Sequence, residues 1–202
     1  MKALIVVDIQ NDFIPGGSLA VPAGNEIIPI VNRLEKKFLL VVATQDWHPE
    51  SHLSFASNHP GKNAYETVIV DGLEQILWPD HCLQGKKGAM FPAEFDDRRV
   101  EAIFRKGTDP RIDSYSGFFD NGRKRSTGLG DYLKGRGVRQ VYLCGLAAEY
   151  CVLYTALDAV ELGFETYYLE DATRALSQEG FRQAKELILS RGGKLLTSDQ
   201  IS

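Results

Sequence analysis

The chain has 202 residues, 44% of them apolar and 25% charged, with a formal net charge of −4. That length can bury a sizeable core and points to one domain, and the composition is that of an ordinary globular protein. The acidic balance argues against nucleic acid or an anionic membrane as the main partner, and no apolar run reaches the length of a membrane span. The densest basic run, Arg123-Lys124-Arg125, reads as a solvated loop. Three cysteines without a CxxC pair make a disulfide framework unexpected and fit a reducing cytoplasm.

Lys2 to Val7 is a continuous apolar run, as expected of a central parallel strand covered on both faces. It is too short for a signal-peptide core, and Asp8 ends it where a cleavage site would fall. The polar group Asp8-Ile9-Gln10-Asn11-Asp12-Phe13 follows at the carboxyl end, where open α/β sheets place their sites. Ile27, Ile28, Ile30, Val31 and Leu34 form an apolar stripe that predicts a helix over Pro22 to Leu34. Phe38 to Thr44 predicts a second buried strand running into Gln45-Asp46-Trp47-His48-Pro49. Residues 49–92 are irregular and hold four prolines. The stretch is too long for a bare loop, so short elements are expected at Val68-Ile69-Val70 and Gln75-Ile76-Leu77, shaping a pocket wall.

Val100 to Arg105 predicts a third main strand ending at Lys106-Gly107, and Leu129 to Leu133 a helix closed by Gly135 and Gly137. Val138 to Leu143 predicts a buried strand. Val152 to Leu162 predicts the helix after it, stopped by Gly163. Thr166 to Leu169 is a further strand. Phe181, Ala184, Leu187 and Ile188 give the last helix its inner face, and Lys194-Leu195-Leu196 is a short final strand. Strands alternating with helical patterns predict βαβ units and a parallel sheet.

Cys151 falls in the first turn of a helix that follows a buried strand. Free N–H groups and the positive dipole end there favour a thiolate, predict a lowered cysteine pKa and can hold an oxyanion. The plain alternative is an inert buried cysteine. Three strands end in Asp8, Lys106 or Cys151, and in a parallel sheet these ends share one edge. A carboxylate can take a thiol proton and return it to a leaving amine, while a lysine holds the charged pair. Singly, Asp8 is also a turn residue and Lys106 a solvated charge.

Asp46 and His48 point to one face of an extended segment, and with His81 they suit zinc, iron or manganese, leaving open positions. All four histidines lie between residues 48 and 81. His52 is a further candidate ligand, His59 reads as a solvent-exposed turn, and Cys82 and Cys144 are left outside the site. Of the aromatics beside these groups, Phe13, Trp78, Tyr115 and Tyr150 lie in polar loops and could sandwich a flat ring, whereas Trp47 reads as core.

Asp8-x-Gln10-Asn11-Asp12-Phe13, Gln45-Asp46-Trp47-His48, Trp78-Pro79-Asp80-His81-Cys82, Arg105-Lys106-Gly107 and Gly145-Leu146-Ala147-x-x-Tyr150-Cys151-Val152 together resemble the bacterial nicotinamidases among the isochorismatase-like cysteine hydrolases. The resemblance runs over nearly the whole chain in the family's order. It implies a single hydrolase domain over residues 1–202. The implied fold is α/β, a Rossmann-like three-layer sandwich with a mainly parallel six-stranded sheet flanked by helices, and the metal-binding irregular region spans about 45–92. The implied reaction is hydrolysis of nicotinamide to nicotinate and ammonia in NAD salvage, with pyrazinamide also accepted. Carried over by position, Cys151 is the thioester-forming nucleophile, Asp8 the general base and then acid, and Lys106 their assistant. Asp46, His48 and His81 hold one divalent ion against the pyridine nitrogen, zinc first and iron or manganese next, with a further ligand at His52 or Ser54 in some members. The backbone N–H groups of Ala147 and Cys151 form the oxyanion hole beside a cis Leu146–Ala147 peptide. Phe13, Trp78, Tyr115 and Tyr150 pack the ring.

Ala148-Glu149 departs from the family's usual Thr-Asp and puts a side-chain hydrogen bond near the nucleophile in question. The loop Thr108 to Asp113 is longer than in some members and bears on the lid. The neighbouring alternative is another cysteine amidase of the superfamily acting on a carbamoyl or ureido substrate. A binding protein without turnover and a redox protein using Cys151 are the alternatives of other classes. The sequence leaves the oligomeric state open, a homo-oligomer included.

Overall fold

The computed structural model describes residues 1–201. Along the chain the strands are β1 (Lys2–Val7), β2 (Leu40–Asp46), β3 (Thr67–Val70), β4 (Leu73–Ile76), β5 (Val100–Lys106), β6 (Gln140–Gly145), β7 (Glu165–Thr173) and β8 (Lys194–Leu196). The helices are α1 (Ile28–Leu34), α2 (Leu129–Gly135), α3 (Leu153–Glu161) and α4 (Gln178–Ser190). Six strands form one sheet in the order β5-β2-β1-β6-β7-β8, with every neighbouring pair parallel. β3 and β4 form a separate antiparallel hairpin inside the irregular region.

The apolar runs become central strands because both faces of the sheet are covered. Leu4, Val6, Val41 and Ala43 point to one face, where α1 supplies Ile28, Val31 and Leu34. Ala3, Ile5, Leu40 and Val42 point to the other, against Leu129 and Leu133 of α2, Ala156 of α3, and Ala184 and Ile188 of α4. The result is the expected three-layer arrangement.

Local boundaries follow side-chain chemistry. α1 starts later than the apolar stripe predicts, after a 3-10 turn at Gly24–Ile27, and Pro29 sits in its first turn, where a missing N–H costs nothing. α3 stops before Gly163, which has φ +87°. Ser177 caps α4 by accepting the Gly180 N–H at 3.0 Å. Leu187 departs from its expected place on the inner face of α4: Ala184 and Ile188, four residues apart, make that face, and Leu187 is exposed on the flank.

The sheet order changes direction at β1. From there the chain builds outward to β2 and β5 on one side and to β6, β7 and β8 on the other, so the crevice beyond β1 and β6 is a topological switch point. Gly145 ends β6 beside Val7 in φ +125°, and a Cβ there would stand 2.0 Å from the Val7 carbonyl oxygen. Only glycine lets the two strands stay paired up to the site.

Candidate active site

Four strand ends deliver the site to one edge. Asp8 follows β1, Asp46 and Lys106 end β2 and β5, and Cys151 follows β6. Asp46 and Lys106 are register partners. Cys151 lies in a π-helical turn, Ala148–Val152, that runs directly into α3. Such single π turns often mark functional sites, because the wider turn re-aims one side chain.

Asp8, Asp46 and Lys106 are buried behind Cys151. The Lys106 ammonium stands 2.9 Å from Asp8 Oδ2, donates to Asp46 Oδ1 and to the Ser114 carbonyl at 2.9 Å, and reaches Cys151 Sγ at 3.3 Å. Asp8 Oδ1 accepts the Thr44 hydroxyl at 2.6 Å, while Oδ2 has no other donor and is free to take a proton. Ligand atoms of Asp8, Asp46 and Cys151 all lie within 4.8 Å of one another.

Burial sets the proton affinities, and charge decides which groups escape it. Burial pushes the Asp8 carboxyl above its ordinary range, with the Lys106 charge opposing. Asp46 is equally buried, but Lys106 and His48 together hold it well below. Burial alone would lower the Lys106 pKa; Asp46 and Asp8 overcome this and hold the ammonium charged. The lowered pKa expected for Cys151 is not found: burial pushes the thiol well above its usual value despite Lys106. Desolvation, with the Asp8 and Asp46 charges beside it, outweighs the Lys106 charge at the thiol.

The expected metal triad also comes together. Asp46 Oδ2 lies 3.5 Å from His48 Nε2 and 3.7 Å from His81 Nε2. His48 Nδ1 donates to the Gly107 carbonyl at 2.9 Å, and His81 Nδ1 to the Pro79 carbonyl at 2.8 Å. These bonds fix both rings with Nε2 turned toward Asp46, the outer support that histidine ligands require. His48 Nε2 is buried without a hydrogen-bond partner. Two supported imidazoles and one carboxylate oxygen fit a divalent ion. Gly107 (φ +63°) makes the arrangement possible, since a Cβ there would stand 2.3 Å from the His48 ring.

His52 is buried and groups with His48 and Asp113 rather than with Asp46 and His81. Its Nδ1 lies 2.7 Å from Ser54 Oγ, and its Nε2 has no partner. Burial and the neighbouring His48 push its pKa down to about 4, so it is neutral. The two candidates for a further ligand are therefore bonded to each other. His59 departs from its expected place in a solvated turn: it is half-buried and bonds the Leu53 carbonyl at 2.8 Å.

Phe13, Trp78, Tyr115 and Tyr150 line a cavity together with Asp46, His81, Ala147 and Cys151. Trp78 and Tyr150 meet edge to face with centroids 5.0 Å apart, and Trp78 Nε1 donates to Tyr115 Oη at 3.3 Å. Trp47 stays outside, half-buried under the Arg105 guanidinium, whose centre lies 3.7 Å from the ring centroid. The Leu146–Ala147 peptide is cis, as the resemblance implies. Four cavity residues were not legible in the sequence: Leu19, Val21, Asp113 and Leu176. Leu19 and Val21 are carried by a turn whose N–H groups bond the Asp12 and Phe13 carbonyls. Leu176 is held by Glu149, whose carboxylate accepts the N–H groups of Leu176 at 3.1 Å and Ser177 at 2.9 Å. Glu149 thus supplies side-chain hydrogen bonds beside the turn that carries Cys151. Cys82, Cys144 and Cys151 are all free, buried thiols.

Residues 2–200 match the isochorismatase domain. The chain belongs to the isochorismatase family. A nicotinamidase of Acinetobacter baylyi is 45% identical over 98% of this chain and 94% of its own length. Among solved members of the family, the yeast nicotinamidase Pnc1p bound to the inhibitor nicotinaldehyde superposes with a TM-score of 0.92 at 36% identity, covering 98% of this chain and 100% of that one. A Pyrococcus horikoshii pyrazinamidase in complex with zinc gives 0.81 at 42% identity, covering 97% and 98%. No helix among the described residues is long and apolar enough to cross a membrane.

Proposed function

We propose that this chain is a nicotinamidase, an amidohydrolase that cleaves the carboxamide C–N bond of nicotinamide to give nicotinate and ammonia. The observation that carries the reading is the convergence of Cys151, Lys106 and Asp8 behind an aromatic cavity whose other wall is Asp46 and His81. A flat, neutral heteroaromatic amide suits such a cavity: the ring between Phe13, Trp78, Tyr115 and Tyr150, the carboxamide toward Cys151. The whole chain, 1–202, acts as one hydrolase domain with a metal-binding region at about 45–92, and it works in the cytoplasm in NAD salvage. Pyrazinamide, with the same shape, is a second substrate.

The thiol is neutral at rest, so it needs a base. Asp8, its proton affinity raised by burial, takes the Sγ proton as sulfur attacks the carboxamide carbon. The carbonyl oxygen becomes an oxyanion facing the N–H groups of Ala147 and Cys151; the Ala147 N–H donates to no acceptor among the described residues. Asp8 passes its proton to the amide nitrogen, the C–N bond breaks, ammonia leaves and a thioester remains on Cys151. Water then attacks the thioester, giving a proton to Asp8 and releasing nicotinate, and the thiol regains the proton. Lys106 stays charged throughout and holds the anionic partner of the moment.

Asp46, His48 and His81 would hold the divalent ion, zinc first; His52, the further candidate with Ser54, stands beside His48 with its ring centroid 4.4 Å away. Bound there, the ion supplies a Lewis-acid anchor for the ring nitrogen.

The test is ammonia release from nicotinamide by the purified protein before and after chelation, with zinc, iron or manganese returned. Turnover that falls on chelation and returns with metal is the expected result. No turnover with any metal, alongside turnover of a carbamoyl or ureido substrate, overturns the reading.

A further inference from the structure

The segment just after Asp8 contains three polar side chains that face the metal-site backbone rather than the cavity. Gln10 is fully buried. Its Oε1 accepts the Asp46 N–H at 2.9 Å, and its Nε2 donates to the Asp46 carbonyl at 2.8 Å and to the Ala89 carbonyl at 2.9 Å. One side-chain amide therefore pairs both backbone groups of Asp46, as a neighbouring strand would, beyond the point where the β1–β2 pairing ends at Ala43. Asn11 Nδ2 donates to the carbonyls of Lys87 at 2.8 Å and Met90 at 3.0 Å. Asp12 Oδ2 accepts the Cys82 N–H at 2.7 Å, and Cys82, adjoining His81, has φ +48°. A non-glycine residue keeps that backbone only where its surroundings hold it.

Asp46 is the one carboxylate that meets Lys106 through Oδ1 and the two imidazoles through Oδ2. A rotation of its backbone would disturb both sets of contacts. His81 depends on the turn that Asp12 holds, and among the described residues its polar and ring contacts are with Asp46, Pro79, Phe13, His48 and Phe55 rather than with Lys106 or Cys151. We propose that Gln10 and Asp12 are positioning residues with different reach: Gln10 sets Asp46 and through it both the metal site and the Lys106–Cys151 pair, whereas Asp12 sets His81 and the metal site alone. The proposal rests on the metal reading above, and its test needs no substrate.

The variants are Gln10→Met, Gln10→Asn and Asp12→Ala, with His48→Ala as the reference for a lost ligand. Near-UV circular dichroism selects folded protein. Zinc retention is measured against a series of chelator concentrations. Iodoacetamide labelling of Cys151 is timed by mass spectrometry in zinc-free protein. Outer supports of metal ligands are worth about 10- to 100-fold in affinity, so all three variants should lose zinc about tenfold more readily. The Gln10 variants should also change the labelling rate of zinc-free Cys151 at least threefold, while Asp12→Ala leaves it within twofold.

Zinc retention within twofold of the parent in a folded Gln10 variant overturns the proposal. So does an equal effect of Gln10 and Asp12 variants on labelling, because the difference in reach is then absent. Failure of both Gln10 variants to fold also overturns it, in favour of a role in maintaining the fold. If His48→Ala retains zinc like the parent, the metal reading itself fails, which the other arms do not mimic.

Discussion

Replacing Lys106 by Met tests whether the buried charge cluster is the device that the geometry describes. The ammonium is fully buried between two carboxylates, 2.9 Å from Asp8 and in direct contact with Asp46. At an effective dielectric of about 20, one pair at that distance attracts by about 6 kcal/mol, which largely offsets the desolvation of the three charges. Methionine fills similar volume but leaves Asp8 and Asp46 facing each other without a counter-charge. Removing one partner of a buried ion pair costs about 3–5 kcal/mol. For a domain of this size that is a Tm lower by about 6–20 °C.

The same change has a pH signature. Without Lys106 the two carboxylates take up protons readily, so the deficit should shrink as pH falls from 8 to 5. In the parent, Asp46 is held low, and its stabilising share is present above pH 3.8 and lost as pH falls below that. Differential scanning calorimetry of parent and variant, both stripped of metal, at pH 5, 6.5 and 8 makes the comparison. A variant within 2 °C of the parent at pH 8, or a deficit that grows on acidification, would refute the assignment of Lys106 as the neutralising group.

Cys151→Ala should abolish ammonia release from nicotinamide while leaving the circular dichroism unchanged; surviving turnover would remove the nucleophile. His48→Ala should cut zinc content after dialysis by tenfold or more and raise KM more than it lowers kcat, and unchanged zinc content would refute that ligand. Glu35→Gln should flatten the pH dependence of stability. Glu35 is buried with neither oxygen hydrogen-bonded, and burial with the nearby Asp96 pushes its pKa up to about 7. Its raised affinity makes the stabilising share complete below pH 4.5 and lost as pH rises through 7, a change of about 1–2 kcal/mol after allowing for solvent screening. Urea unfolding at pH 5 and pH 8 reads this, and an equal slope in parent and variant would dismiss it.

The central strands and the residues at their ends were legible because a strand covered on both faces must be apolar throughout, and because a parallel sheet brings its carboxyl ends to one edge. Asp8, Asp46, Lys106 and Cys151 followed from that rule. His81 did not: it sits on no central strand, and it was joined to Asp46 and His48 by ligand chemistry and by the clustering of all four histidines between residues 48 and 81, not by the fold. Leu19, Val21 and Leu176 stayed hidden because turns deliver them to the cavity, and a turn leaves no hydrophobic period. The Cys151 thiol went the other way from expectation. A position at the start of a helix can be read from sequence, but full burial cannot.

The roles of Gln10, Asn11 and Asp12 show a different limit. All three stand in the motif beside Asp8, yet apart from the Ser18 N–H on Asp12 Oδ1 their side-chain partners are distant in sequence: Asp46, Ala89, Lys87, Met90 and Cys82 are 36 to 79 residues away. The topology makes this economical. β1 is flanked by β2 and β6, so the chain leaving β1 passes both the nucleophile turn and the metal-bearing strand end. One short segment can then supply Asp8, the acid of the proposed mechanism, and the struts that set its distance from the Asp46–His48–His81 cluster. Cys151 follows β6 and Asp46 ends β2, on opposite sides of β1, so in the proposed mechanism the placement of nucleophile and metal ligands depends on that central segment. Insertions in the β3–β4 hairpin, none of whose residues lines the cavity, should therefore leave the Lys106–Cys151 contact intact. One-residue insertions between Asp8 and Asp12 should separate thiol reactivity from metal retention, because they shift the struts relative to the acid.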